Sequence, residues 1–103
     1  MQIRFTKQAR AEYLRIVSVF AEFAGIRSAN KFIERVKERG DTLLKQPYIG
    51  HPETLLSNRQ QDYRNISINK NYYIIYYVEN DIIWLADILD RRNNPANLVA
   101  RVK

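Results

Sequence analysis

No cysteine occurs in the 103 residues, so neither a disulfide framework nor a thiolate metal site can form. That absence fits a reducing compartment better than secretion. Histidine is nearly absent too. His51 stands alone in Gly50-His51-Pro52, with no second imidazole to share a metal ion, so no metal and no other cofactor is expected. Glycine and proline number three each, too few for a disordered or linker-rich chain. Long apolar runs are missing as well. The longest, Tyr72 to Val78, is far too short to cross a bilayer, and the opening MQIRFTKQAR lacks the apolar stretch of a signal peptide. The expectation is a cytoplasmic protein without membrane contact.

Acidic residues are scarce: 11 against 17 lysines and arginines, a net charge of +6. The excess points to a polyanionic partner, whether nucleic acid, ribosome or acidic protein, or else serves only as solubilising charge. A chain of this length has room for one core and one domain, expected over residues 1–103, and buries roughly two-thirds of its unfolded surface.

The periodicity predicts six elements. Residues 2–5 read as a short strand, and Thr6 is placed to cap a helix running to about Phe23. Within it Ala9, Tyr13, Ile16, Val17, Phe20 and Ala24 recur at spacings of three and four. Gly25 can end this helix in a left-handed conformation. Ser28 can cap a second helix to about Gln46, with Ala29, Phe32, Ile33, Val36, Leu43 and Leu44 as its stripe and Pro47 as its stop. Gly40 falls on that stripe, as expected where the first helix approaches closely. The short link makes the pair an antiparallel hairpin.

Residues 47–61 read as irregular. Three strands follow at Tyr63–Ile68, Tyr72–Val78 and Ile82–Leu89, joined by Asn/Asp-rich turns that suit hairpins. The middle strand is apolar or aromatic on both faces, which marks a central strand covered twice. A polar stretch, Asp90 to Pro95, comes next, and the last eight residues read as a short helix or a loose end. The predicted fold is α+β, in the order β-α-α-β-β-β. Its helical hairpin packs on one face of a small, twisted, largely antiparallel sheet. Trp84, in phase with Ala86 and Ile88, is expected in the core, and about half of the crowded tyrosines with it.

This order and its signposts resemble the RelE/ParE toxin superfamily, the plasmid-stabilisation proteins of type II toxin–antitoxin systems. The resemblance rests on the capped first helix FTKQARAEYLRI and the second helix SANKFIERVKERGDTLLKQP. It rests further on the meander YRNISINKNYYIIYYVENDIIWLADILDRRNNP, where an arginine opens one strand and a paired arginine leads to a proline. It covers about residues 1–95. The resemblance implies two alternative activities. One branch cleaves mRNA on the ribosome without metal; the other poisons DNA gyrase and is not known as a nuclease. It also implies a cognate antitoxin, whose extended C-terminal segment wraps the toxin, and hence a hetero-oligomer.

Metal-free cleavage by a 2′-hydroxyl needs a base, a cation for the phosphorane charge and an acid for the leaving oxygen. The resemblance points to Arg64, Tyr73, Arg91 and Arg92 as catalytic candidates, and to Lys70, Arg91, Arg92 and Asn94 as target-binding ones. Arg64 shares parity with Ile66 and Ile68, so a stem packed at the strand edge is an equal reading. Tyr73 stands where related nucleases tend to carry an arginine, and a neutral phenol stabilises a dianion less than a guanidinium does. Asp87 and Asp90 are expected to salt-bridge the arginine pair. If the tail folds back over the sheet, Arg64, Arg91 and Arg92 form one anion-binding surface. The thin catalytic set and the Asp90–Pro95 ending favour a gyrase poison. A ribosome-dependent mRNA endoribonuclease is the alternative, and an inactive homologue that only binds antitoxin is the third reading.

Overall fold

A computed structural model describes residues 1–102. The chain runs β1 (Gln2–Phe5), α1 (Lys7–Phe23), α2 (Ile26–Lys45), β2 (His51–Pro52), a 3-10 turn (Thr54–Leu56), β3 (Arg64–Ser67), β4 (Tyr72–Glu79), β5 (Ile82–Asp90) and α3 (Pro95–Arg101). One sheet holds the strands in the order β1-β5-β4-β3-β2. The β1–β5 pairing is parallel and the other three are antiparallel. The expected α+β fold and hairpin are present. Among the described residues no helix is long and apolar enough to cross a membrane.

Thr6 starts α1 as its spacing required. Its hydroxyl accepts from the Ala9 amide at 3.2 Å and donates to the Ala86 carbonyl at 3.0 Å. The second bond answers a local need. Ile75 pairs with Asp87 but Tyr76 pairs with Leu85, so Ala86 is an extra residue in β5, a β-bulge with an unclaimed carbonyl. One hydroxyl therefore closes both the helix end and the bulge.

The start of α2 differs from expectation. Gly25, not Ser28, is the N-cap, with φ at +91° and no side-chain hydrogen bond. A tight link between two helices demands a positive φ, and glycine meets it without a Cβ clash. Ser28 lies in the first turn instead. Gly40 does not face α1: a Cβ there would sit 3.5 Å from Ile3 Cδ1, so its neighbour is β1. Residues 47–61 hold a two-residue strand that reads as loop because it is so short. Gly50, just before it, leaves no room for a methyl group. A Cβ there would come within 2.5 Å of the Tyr76 hydroxyl oxygen, which accepts the Gly50 amide at 2.9 Å.

The sheet separates two cores. Ile74, Tyr76, Ile83, Leu85 and Ile88 meet Ile16, Phe32, Val36 and Leu43 of the hairpin on one face. On the other face Ile75, Ala86 and Leu89 meet Leu56 and Tyr63, together with Leu98 and Val102 from α3 and its end. Each fully buried aliphatic side chain contributes about 1.5–3 kcal/mol. Trp84 belongs to neither cluster and is half-buried, opposite Tyr77.

Replacing Thr6 by alanine should cost about 1–2 kcal/mol, since it removes a cap and strands the bulge carbonyl. Urea unfolding measures it; a midpoint equal to wild type would show that neither bond matters.

Candidate functional site

The tail does fold back, as a helix. Asn94 caps α3 through its side-chain oxygen, which accepts the Ala96 amide at 2.9 Å. Pro95 occupies the first helical turn, where its missing N–H is no loss. At the other end Arg59 donates to the Val99 carbonyl at 2.9 Å and also to that of Val102. Arg101 reaches the carboxylate of Asp87 at 2.8 Å and that of Glu12 at 3.5 Å.

Asp87 is 0% exposed. The bulge puts it on the face of Ile75, the α3 side of the sheet, where Gln8 Nε2 donates to it at 2.9 Å, while the Ile88 amide donates at 2.8 Å. It holds Arg101, not the arginine pair that the sequence suggested. Burial pushes its pKa up, and Arg101, Gln8 and the Ile88 amide only partly oppose that. Asp90 does pair with Arg92, at 2.7 Å. The Arg92 guanidinium holds the Asp90 carboxyl below its ordinary range.

Between α3 and the sheet lies an open pocket of about 280 Å³, lined by Glu53, Asn65, Tyr73, Asp90, Arg91 and Asn94 among others. Arg91 follows β5 and extends its ladder by one bond, donating its amide to the Asn71 carbonyl at 2.7 Å. Its guanidinium lies 4.7 Å from the Tyr73 ring centroid and donates to Ser67 Oγ at 2.5 Å. A guanidinium over an aromatic face is attracted by the ring quadrupole, so Tyr73 fixes Arg91 at the pocket. Tyr73 itself is held protonated: burial raises its pKa, Glu53 adds to the rise and Arg91 opposes it.

The other sequence candidates go elsewhere. Arg64 pairs with Tyr76 on the hairpin side of the sheet. Its guanidinium donates to the Tyr48 carbonyl at 3.2 Å and the Gly50 carbonyl at 3.0 Å, meets Asp62 at 3.4 Å and lies 5.4 Å from the Tyr48 ring. It clamps the loop before β2. Arg92 turns to the hairpin side as well, 5.8 Å from the Tyr72 ring, whose own neighbours are Phe20 and Phe32. The single surface expected of Arg64, Arg91 and Arg92 is therefore not formed. Strand alternation is the reason: Arg64 shares phase with Ile66, and Arg91 with Leu89, on opposite faces. Lys70 is exposed in the β3–β4 turn, near α2 and away from the pocket. Asn94 lines the pocket while its oxygen serves as the cap. His51 is exposed on β2 and is not among the pocket's lining residues.

Glu53 escaped the sequence reading. It is half-buried beside β2, accepting from Asn65 Nδ2 at 3.3 Å and from the Leu55 amide at 3.4 Å. A carboxylate inside an apparently irregular segment gives no periodic signal. Only its position before Thr54, as the cap of the 3-10 turn, would have marked it. Among the described residues no cluster of three or more histidines and acids is placed to hold a metal ion.

The family of ParE toxins of the type II toxin–antitoxin system parDE matches residues 3–95. The fold is similar to a structure from the chromosomal ParDE toxin–antitoxin system of P. aeruginosa. That likeness has 18% identity and a TM-score of 0.69, and it covers 87% of this chain and 95% of that one. The fold is also similar to that of YoeB from Staphylococcus aureus, solved as a dimer, with 24% identity and a TM-score of 0.58, over 84% of this chain and 92% of that one. At such identities the two structures speak to fold alone. No curated protein matches significantly.

Replacing Arg101 by alanine should cost roughly 3 kcal/mol, the low end for a broken buried pair because its side chain is 31% exposed. The pH dependence should change with it. Asp87 takes up its proton at higher pH in the folded than in the unfolded chain. Stability from this group therefore falls as pH rises from the ordinary Asp value to the raised one. Without Arg101 the folded value rises further and the fall extends to higher pH. Urea unfolding across pH reads this; an unchanged pH profile would show that Arg101 does not set the charge of Asp87.

Proposed function

We propose that the chain, which belongs to the ParE toxin family of type II toxin–antitoxin systems, arrests growth by binding and poisoning DNA gyrase in the cytoplasm until its antitoxin captures it. One observation carries the reading: the cations that phosphoryl chemistry would need are dispersed. Arg91 alone lines the pocket, Arg64 holds a loop on the opposite face, and Arg92 is neutralised by Asp90. A single guanidinium beside a protonated phenol is a recognition element, able to grip a carboxylate or a backbone carbonyl of a protein target. Tyr73, Arg91 and Asn94 present it, with Ser67 holding the arginine in place.

A second reading, ribosome-dependent mRNA cleavage, has one observation of its own. Glu53 lines the same pocket as Arg91 and Tyr73, and a carboxylate base, a cation and a phenol acid are a minimal set for attack by a 2′-hydroxyl. What it lacks is a second cation for the phosphorane charge. The antitoxin is expected to cover exposed aromatic and strand-edge surface, since free edges accept an added strand.

Purified gyrase separates the readings. With ATP and plasmid, the chain should inhibit supercoiling and trap gyrase-dependent double-strand breaks, and cells producing it should mount a DNA-damage response without new mRNA ends. Codon-phased mRNA ends with unaffected gyrase would replace this reading by the nuclease one. Normal growth with soluble protein and no antitoxin would leave an inactive homologue that only binds its antitoxin.

A further inference from the structure

A second concave site lies on the hairpin side, across the sheet from the Arg91 pocket. It is a groove between α2 and the β3–β4 turn, lined by Ser28, Lys31, Arg35, Asn69, Lys70 and Asn71 over the rings of Phe20 and Phe32. Three cations line it and no carboxylate does. Among the described residues none of the three is in a salt bridge. The neighbouring arginines are already committed: Arg92 to Asp90 at 2.7 Å, and Arg39 to the Ser67 carbonyl at 2.6 Å.

The groove is a fixed shape. Arg39 ties α2 to the end of β3 through that bond and a longer one, 3.5 Å, to the Ile68 carbonyl. The turn carrying Lys70 is pinned by Asn69, whose side-chain oxygen accepts the Asn71 amide at 2.8 Å and the Tyr72 amide at 2.9 Å. Lys31 and Arg35 stand one helical turn apart on α2, a rise of about 6 Å. That separation is close to the spacing of successive phosphates along a nucleic-acid strand.

We propose that this groove binds the phosphodiester backbone of a single nucleic-acid strand, with Lys31 and Arg35 on successive phosphates and Lys70 closing from the opposite wall. The lining distinguishes this from a site for an acidic protein segment. Phe32 is 2% exposed, so that ring is closed to a partner's side chains. The polar rim of Ser28, Asn69 and Asn71 instead supplies further partners for phosphate and sugar oxygens. The half-buried Phe20 leaves part of a ring at the mouth, on which a base can stack. The inference does not depend on whether gyrase or the ribosome is the target.

The test is fluorescence anisotropy of the purified chain with a labelled oligothymidine of about 20 nucleotides. Three phosphate contacts predict a slope of log K against log salt near −2, or a loss of roughly 15-fold between about 50 and about 200 mM salt. Changing Lys31, Arg35 and Lys70 together to alanine should weaken binding about tenfold or more and bring the slope toward zero. Lys70→Glu alone, in an exposed turn, should weaken it with the melting temperature unchanged, and it decides the matter should the triple variant misfold. Lys7→Ala/Arg10→Ala, at the opposite end of α1, should bind as wild type. Equal weakening in that control would reduce the effect to net charge and overturn the proposal. So would wild-type binding by Lys70→Glu and the triple variant, or absence of binding. Displacement of the oligonucleotide by poly-L-glutamate at equal charge concentration would overturn it in favour of an acidic protein partner.

Discussion

Both faces of β4 have to be kept from water, and the rest of the chain is arranged to do it. Ile74 and Tyr76 point one way, Ile75 and Tyr77 the other, and the first three of these are fully buried. A strand of that kind needs a layer on each side. The helical hairpin supplies a complete layer. The second layer is assembled from small pieces: the 3-10 turn with Leu56, Tyr63 before β3, and α3 with Leu98. Because these pieces are small, they leave a gap where β4 begins and β5 ends. The pocket with Tyr73 and Arg91 is that gap. The proposed recognition surface is thus a consequence of how little of the second face is covered.

Keeping α3 in place without a large apolar interface requires polar fastening, and two arginines provide it. Arg59 satisfies carbonyls at the helix end, where intrahelical donors run out. Arg101 inserts its charge against Asp87, which the β5 bulge has put on the α3 side of the sheet. The same bulge leaves the carbonyl that Thr6 takes while starting α1. Helix 1, the bulge and helix 3 are therefore one coupled unit. Arginine's several roles here follow from local surroundings: a clamp at Arg64, a fastener at Arg59 and Arg101, and an open guanidinium at Arg91.

Much of this was legible in the sequence. Spacings of three and four located both helices, Thr6 fixed the start of the first, and the doubly apolar run Tyr72–Val78 identified the central strand. The parity of Arg64 with Ile66 and Ile68 made packing at the strand edge an equal reading to catalysis, and its guanidinium is taken up by the loop before β2. Other features were not legible because they depend on distant partners. Nothing local tells that Gly25 rather than Ser28 begins α2, since the positive φ is imposed by two helices meeting. β2 exists only through its pairing with β3. Glu53 becomes a pocket residue only when α3 returns over the sheet, and Asp87 finds Arg101 across 14 residues because of a bulge that no pattern marks.

The proposed function divides the arginines, Arg64 clamping a loop and Arg91 gripping a target. That division is tested most directly by measuring urea unfolding and growth arrest side by side for Arg64→Ala and Arg91→Ala. Arg91→Ala should keep wild-type stability within about 0.5 kcal/mol, as expected for an exposed side chain, and lose growth arrest. Arg64→Ala should lose about 1–3 kcal/mol, because carbonyls of Tyr48 and Gly50 lose their donor, yet still arrest growth at a temperature where it is folded. An Arg91→Ala chain that arrests growth as wild type does, or an Arg64→Ala chain that is fully stable and harmless, would contradict the account.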